Sequence, residues 1–307
     1  MNDKLFILMG PTAVGKTSIS IDLAKKLNGE IISADSMQIY KYMNIGTAKV
    51  TPNEMEGIPH YLIDIIYPDE NFTVSDYKRM ATKYIKKINQ KNKLPIVVGG
   101  TGLYINSLVY KLNFASVPPN DEVRLKLETY DNQYLHSKLI EVDRITGERI
   151  SVNDRKRIIR ALEIWKISGK TPSEYNNNFR EETDEYNPIM VCLNMDREKL
   201  YKRINDRVDL MIELGLVDEV RNILNMGYNK DLVSMQGIGY KEIIMYLENK
   251  ISLDDSINKI KQGSRNYAKR QLTWFKRDNR IRWIDIDNFE SIDQISENIE
   301  DYICQNL

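Results

Sequence analysis

Residues Gly10 to Thr17 read GPTAVGKT and stand directly behind a short apolar run, Leu5 to Met9. The spacing gives each part a task. Gly10 and Gly15 let the backbone curl, so that successive N–H groups after Pro11, along Thr12, Ala13 and Val14, point at one phosphate group. Lys16 adds a point charge, and the Thr17 hydroxyl suits a Mg²⁺ ion. From Lys16 onward, Ile19, Leu23, Ala24 and Leu27 recur at helical spacing. The positive end of that helix dipole therefore faces the bound anion. A glycine-rich turn without a ligand is the bland alternative. A strand before the loop and an amphipathic helix after it favour a loop that binds a di- or triphosphate.

Working outward, short apolar runs at Ile31 to Ser33, Tyr61 to Ile66 and Leu94 to Val98 read as strands, and Tyr77, Met80, Ala81, Tyr84, Ile85 and Ile88 as a helix face. This alternation predicts an α/β fold with a parallel, P-loop NTPase-like sheet, its ligand at the carboxyl ends of the strands. The rhythm changes at Val117-Pro118-Pro119-Asn120, after which the signals are helical only. Ser151 or Asn153 can cap a helix ending at Gly169, and Thr171-Pro172-Ser173-Glu174 is a capping box. The polar stretch from Asn176 to Asn187 reads as a linker. Ile189 to Leu193 restores a strand, followed by helices over Arg197 to Leu214, Val217 to Leu224, Tyr240 to Leu247 and Ser256 to Lys276. The expected organisation is a catalytic core, residues 1–113 and 187–307, interrupted by a helical insertion, residues 114–186.

With 42% apolar and 29% charged residues in 307, the chain has material for a sizeable core. No apolar run is long enough for a membrane span or a signal peptide. Two cysteines, Cys192 and Cys304, lack metal-ligand spacing and fit a reducing compartment, so a cytoplasmic protein without a zinc site is expected. Net charge is zero, but Asn258 to Arg282 holds nine Lys/Arg against one acid, and the stretch after Trp283 is acidic. Such segregation suits local polyanion binding, although a solvated helix face is the commoner cause.

Asp35, in Ser33-Ala34-Asp35-Ser36-Met37-Gln38, follows the second strand close to the loop. It could ligate Mg²⁺ through water, accept a proton, or merely cap the next turn. Ser36 and Gln38 suit a base edge. The third strand ends Val98-Gly99-Gly100-Thr101-Gly102, where a P-loop hydrolase would carry an acid. This points away from a motor or switch NTPase and predicts close backbone approach to a ligand, with Thr101 offering a hydroxyl. Arg203 and Arg207, four apart, form either a guanidinium clamp on phosphate or a solvated ion-pair face. Arg155, Lys156, Arg157 and Arg160 line a helix whose other face holds Ile158, Ile159, Leu162 and Trp165. Phosphate-backbone contact is the sharper reading of that basic face. The terminal run SRNYAKRQLTWFKR mixes bases, among them Lys269 and Arg270, with aromatics that are more often core. His60 is expected to be a hydrogen-bonded structural histidine.

GPTAVGKT, DSMQIY with NIGTAK, PHYLIDI, VVGGTGLY, NDRKRIIRALEIW, GIGYKE and YAKRQLTWF, in that order over nearly the whole chain, closely resemble the tRNA dimethylallyltransferases. GTAK and KRQLTWF are far more specific than the loop alone. The resemblance implies transfer of a dimethylallyl group from dimethylallyl diphosphate to the exocyclic amine of the adenosine 3′ of the anticodon. It implies Mg²⁺ as cofactor, and catalytic roles for Asp35, Thr101, Lys16 and Arg207. The diphosphate would lie on Gly10 to Thr17 with Arg203. The tRNA would meet Asp35, Ser36, Met37, Gln38 and Thr101 in the core. Arg124, Lys156, Arg157, Ile158, Ile159 and Arg160 would grip the anticodon stem from the insertion, with Lys269 and Arg270 from the terminal helix. Some members carry a basic residue around Gln236 and Gly237, which this chain lacks. A monomer without membrane contact is expected. An adenylate isopentenyltransferase would share the core but has little need of a basic insertion. A small-molecule kinase would lack GTAK and KRQLTWF, and an RNA-binding protein without activity would have no reason to keep Lys16, Thr17 and Asp35 together.

Overall fold

A computed structural model of the chain describes residues 3–112, 117–175 and 181–306. The expected boundary at 113 and 114 and the first half of the expected linker, 176–180, lie outside the described residues. The chain begins with β1 (Asp3–Met9), α1 (Lys16–Lys26), β2 (Gly29–Ala34), β3 (His60–Tyr61), α2 (Val74–Gln90), β4 (Leu94–Gly99) and α3 (Gly102–Val109). It continues through α4 (Asp121–Glu128), α5 (Asn132–Val142), α6 (Arg144–Arg149), α7 (Arg155–Ser168) and α8 (Pro172–Tyr175). It returns with β5 (Tyr186–Asn194), α9 (Arg197–Glu213), α10 (Leu216–Asn225), α11 (Tyr240–Leu247), α12 (Leu253–Phe275), β6 (Arg282–Asp285) and α13 (Ile292–Asn306).

The strands form one parallel sheet in the order β3-β2-β4-β1-β5-β6. Leu5 to Met9 of the central β1 are fully buried, as a strand covered on both faces requires. Register decides where the site lies. Met9 stands opposite Gly99 on one side and Cys192 on the other, and Ala34 is also opposite Gly99. The loops after β1, β2 and β4 therefore emerge side by side at the carboxyl edge, as predicted.

The chain divides into two compact units, residues 1–109 with 184–307, and Tyr110–Thr183. Within the second unit, Tyr110 bridges Glu182 antiparallel and the Lys111 N–H donates to Glu181 O at 2.7 Å. Its incoming and outgoing chains are thus tied together at the root. Its apolar centre gathers Leu127, Leu135, Leu139, Ile158 and Leu162. Thr171 and Glu174 make the expected capping box, with the Thr171 hydroxyl 2.9 Å from Glu174 Oε2. The cap of α7 is Asp154 rather than Ser151 or Asn153.

The structure differs from expectation at three other elements. The strand expected over Tyr61 to Ile66 is only His60–Tyr61, because Leu62 and Asp64 take positive φ (63° and 54°) and turn the chain away. β6 was not anticipated. The acidic C-terminal stretch is a helix, α13, with Ile295, Ile299 and Ile303 buried. Among the described residues, no helix is long and apolar enough to cross a membrane.

Candidate active site

The loop between β1 and α1 turns left-handed at Ala13 (φ 65°) and Gly15 (φ 98°). Glycine carries that conformation freely, whereas an alanine there costs roughly 1 kcal/mol, so neighbouring bonds must hold the turn. Lys16 supplies two of them. Its ammonium donates to Gly10 O at 2.9 Å and Pro11 O at 2.7 Å. Burial, then the Arg207 charge, lowers its pKa to about 8. Arg207, from α9, is itself lowered by burial, with Asp35 and Glu54 acting the other way. Among the described residues it has neither a hydrogen bond nor an ion pair. Two crowded cations with spare donors form a site for an anion.

Two clefts meet at the loop. The first, about 490 Å³, is lined by Thr12, Lys16, Thr17, Asp35, Arg207 and Arg270, with Ile204, Val208, Met211 and Ile260 giving it an apolar flank. The second, about 530 Å³, shares Ala13, Gly15, Thr17 and Arg207 and adds Arg203 and Glu54. The two arginines are thereby distinguished: Arg207 reaches both clefts, and Arg203 only the second.

Asp35 caps its own turn and still lines the first cleft. Its Oδ1 accepts from the N–H groups of Met37 (2.8 Å) and Gln38 (3.3 Å). Its Oδ2 has no hydrogen-bond partner among the described residues, so capping the turn leaves one carboxylate oxygen open to the cleft. Thr101 binds the Asp35 turn to β4. Its hydroxyl accepts the Ser36 N–H at 3.1 Å, and its own N–H donates to Ala34 O at 3.1 Å. The Gln38 amide, expected at a base edge, donates instead to the carbonyls of Thr47 and Ala48, each at 3.3 Å. Met37 lies along Gly237, where a Cβ would stand 2.5 Å from the methionine methyl. Tyr267, from α12, has its hydroxyl pushed up to about 12 by burial and the Asp35 charge.

Gly99, the last residue of β4, and Gly100 both line the first cleft, and packing by itself already excludes a side chain at either. A Cβ at Gly99 would fall 2.3 Å from Ala34 O, and one at Gly100 only 2.0 Å from Gln271 Nε2. They admit a neighbouring strand and helix. The NIGTAK segment is likewise held from behind. Glu219 of α10 accepts the N–H groups of Asn44, Ile45 and Gly46 at 2.8, 2.7 and 3.1 Å, and the Tyr240 hydroxyl at 2.7 Å. Lys49 is buried and donates to Tyr40 O, Asn44 Oδ1 and Asp64 Oδ1. GTAK is therefore a scaffold for the cleft wall. His60 is structural as expected, its Nδ1 2.8 Å from Ile58 O.

Within the insertion, the basic face of α7 divides. Lys156 and Arg157 are exposed, Arg157 being 3.3 Å from Asp154. Arg155 is tied to Asn132 Oδ1 and to the carbonyls of Glu128 and Tyr130. Arg160 and Arg124 both clasp the fully buried Glu163, and Arg160 also donates to Val117 O. Ile158 and Ile159 have buried side chains, so their expected part in gripping RNA is corrected to one in packing. On α12, Lys269 and Arg270 are exposed, and Arg270 lies over the Tyr267 ring. Sequence reading passed over Gln271, which the KRQLTWF motif contained without showing its purpose. Its Oε1 accepts the Thr12 N–H at 2.9 Å and its Nε2 donates to Gly100 O at 3.0 Å.

Residues 38–278 match the family model described as IPP transferase. The chain is 52% identical to a tRNA dimethylallyltransferase of Clostridioides difficile (strain 630), over 99% of this chain and 98% of that one. Among solved structures, it resembles the full-length tRNA isopentenylpyrophosphate transferase of Bacillus halodurans, with TM-score 0.75 and 43% identity over 99% of this chain and 96% of that one. It also resembles a eukaryotic dimethylallyltransferase captured acting on tRNA, with TM-score 0.80 and 32% identity over 92% of this chain and 74% of that one. The chain belongs to the IPP transferase family.

Proposed function

We infer that this protein is a tRNA dimethylallyltransferase. It moves the dimethylallyl group of dimethylallyl diphosphate onto the exocyclic amine of the adenosine 3′-adjacent to the anticodon, with diphosphate as the other product. The observation that carries this reading is one cleft lined by Lys16 and Arg207, the latter unpaired among the described residues, together with the open oxygen of Asp35. As the bond between the allylic carbon and the diphosphate oxygen breaks, negative charge gathers on the leaving group. Loop N–H groups, Lys16 and Arg207 are suited to receive it. The new bond forms to the adenine nitrogen, whose lone pair is delocalised into the ring. Asp35 takes the proton lost from that nitrogen and passes it to solvent. The apolar flank suits the five-carbon chain and keeps water from the allylic cation. A base stacked in the anticodon loop must be flipped out to enter.

Among the described residues, no three His, Cys, Asp or Glu side chains are grouped to hold a metal. A Mg²⁺ ion would rest on the Thr17 hydroxyl, diphosphate oxygens and water, an oxygen-only set that suits it. Bound there, it would neutralise charge on the leaving group. A cytoplasmic monomer is part of the same reading. Incubation with labelled dimethylallyl diphosphate and unmodified tRNA, followed by nuclease digestion, tests it. The label should appear on the adenosine beside the anticodon. Label elsewhere, or ATP consumed in step with product, would overturn it.

A further inference from the structure

We propose that Gln271 is a positioning residue that sets the phosphate loop for the diphosphate donor, acting from α12 through the Thr12 N–H and Gly100 O; this rests on the donor reading above. Gln271 is 5% exposed, and its side-chain amide uses both ends on the backbone of two loops that converge on the cleft. Which end is oxygen follows from the partners, since Thr12 offers an N–H and Gly100 a carbonyl. The bond fixes the peptide entering Thr12, immediately before the left-handed Ala13. Of the side chains holding this turn, Lys16 is the one a phosphate competes for, since its ammonium now rests on Gly10 O and Pro11 O. When Lys16 turns to an anion, Gln271 keeps the loop in shape. Gly100 makes room for it, because a Cβ there would stand 2.0 Å from the amide nitrogen. Exposed Lys269 and Arg270 precede Gln271 on the same helix, so the donor loop is anchored to the element proposed to meet RNA.

The test compares wild type, Gln271→Met, Gln271→Ala, Gly100→Ala and the Gln271→Ala/Gly100→Ala double variant. Binding of inorganic diphosphate and of dimethylallyl diphosphate is followed by calorimetry, tRNA binding by filter retention, and folding by thermal melting. Gln271→Met keeps length and removes both bonds. It should weaken both diphosphate ligands about tenfold and raise the donor KM alike, with tRNA affinity and melting little changed. Gly100→Ala should do as much by expelling the amide, yet add nothing once position 271 is alanine. Equal costs of Gly100→Ala in both backgrounds, or unchanged donor binding by Gln271→Met, would overturn the proposal. If the wild-type protein itself binds neither diphosphate, the donor reading falls instead.

Discussion

At the scale of single residues, the site works because several groups are committed to structure and a few are left open. Asp35 spends Oδ1 on its turn and keeps Oδ2. Asp35→Asn retains a carbonyl-type acceptor for the turn but cannot take a proton. Turnover should therefore fall about 10² to 10⁴-fold with donor and tRNA affinities preserved. A variant within a few-fold of wild type in single-turnover assays would reduce Asp35 to a cap. Lys16 makes a pH prediction. Its pKa of about 8 lies below the ordinary lysine value, because burial and Arg207 disfavour its charge. An anion beside it favours the charged form and raises the pKa again. Between the ligand's own phosphate ionisation, at about pH 6 to 7, and pH 8 the ammonium is already present and diphosphate affinity should be flat. Above it, binding must take up a proton, and affinity should drop about tenfold per pH unit until the bound-state pKa is reached. Calorimetry in buffers of different ionisation enthalpy reads that proton directly, and flat affinity from pH 8 to 9.5 would refute the assignment. The loop was legible in sequence because its chemistry needs local spacing. Gln271 was not, because its purpose depends on Thr12 and Gly100, far away in the chain and supplied only by the fold.

At the scale of elements, the same contrast separates what pattern could predict. α1, α2 and β4 announce themselves by periodicity. α13 has its isoleucines at helical spacing, but charge counting drew the eye to its acids and hid the buried face. β3 fails as a strand for a backbone reason, positive φ at Leu62 and Asp64, that apolar pattern does not reveal. In α7 the sequence showed a row of bases, and the structure sorts them by partner. Neutralising Lys156 or Arg157 should lower the salt slope of tRNA binding by about 0.7 to 0.9 for each phosphate left without its cation, with diphosphate binding unchanged. No change in slope would return that face to ordinary solvation. Arg160→Ala should behave otherwise, since Glu163 loses a partner. Burial pushes the Glu163 carboxyl up, but Arg160, the Asn120 N–H and Arg124 outweigh it and hold the pKa below its usual value. A depressed carboxylate stabilises above its unfolded pKa and loses that contribution as pH falls through the folded one. Both arginines are about one-third exposed, so the loss in Arg160→Ala should be modest, about 1 to 3 kcal/mol. Melting at pH 7 and pH 3 should show the variant's deficit shrinking in acid; a deficit of equal size at both would assign the effect to packing alone.

At the scale of the whole molecule, the chain pairs a core that carries the chemistry with an insertion that has its own apolar centre. The change of rhythm near Val117 disclosed the insertion in the sequence, while the exact root at Tyr110 and Thr183 depends on pairing between its two ends. Two compact units with separate interiors can respond separately to two ligands. Inorganic diphosphate should slow amide exchange over residues 10–18 and beside Arg207 in α9, and leave α4 to α8 as they were. Unmodified tRNA should slow exchange in α7 and α12 as well, because its stem offers phosphates that a free nucleotide lacks. AMP has the target base but no stem, so it should be a very poor acceptor even when the donor is saturating. Hydrogen-exchange mass spectrometry with each ligand in turn, beside turnover of AMP and tRNA, tests the division. Protection of α7 by diphosphate alone would show that the units answer as one. Equal turnover of AMP and tRNA would remove the need for an RNA grip and favour an adenylate-type transferase.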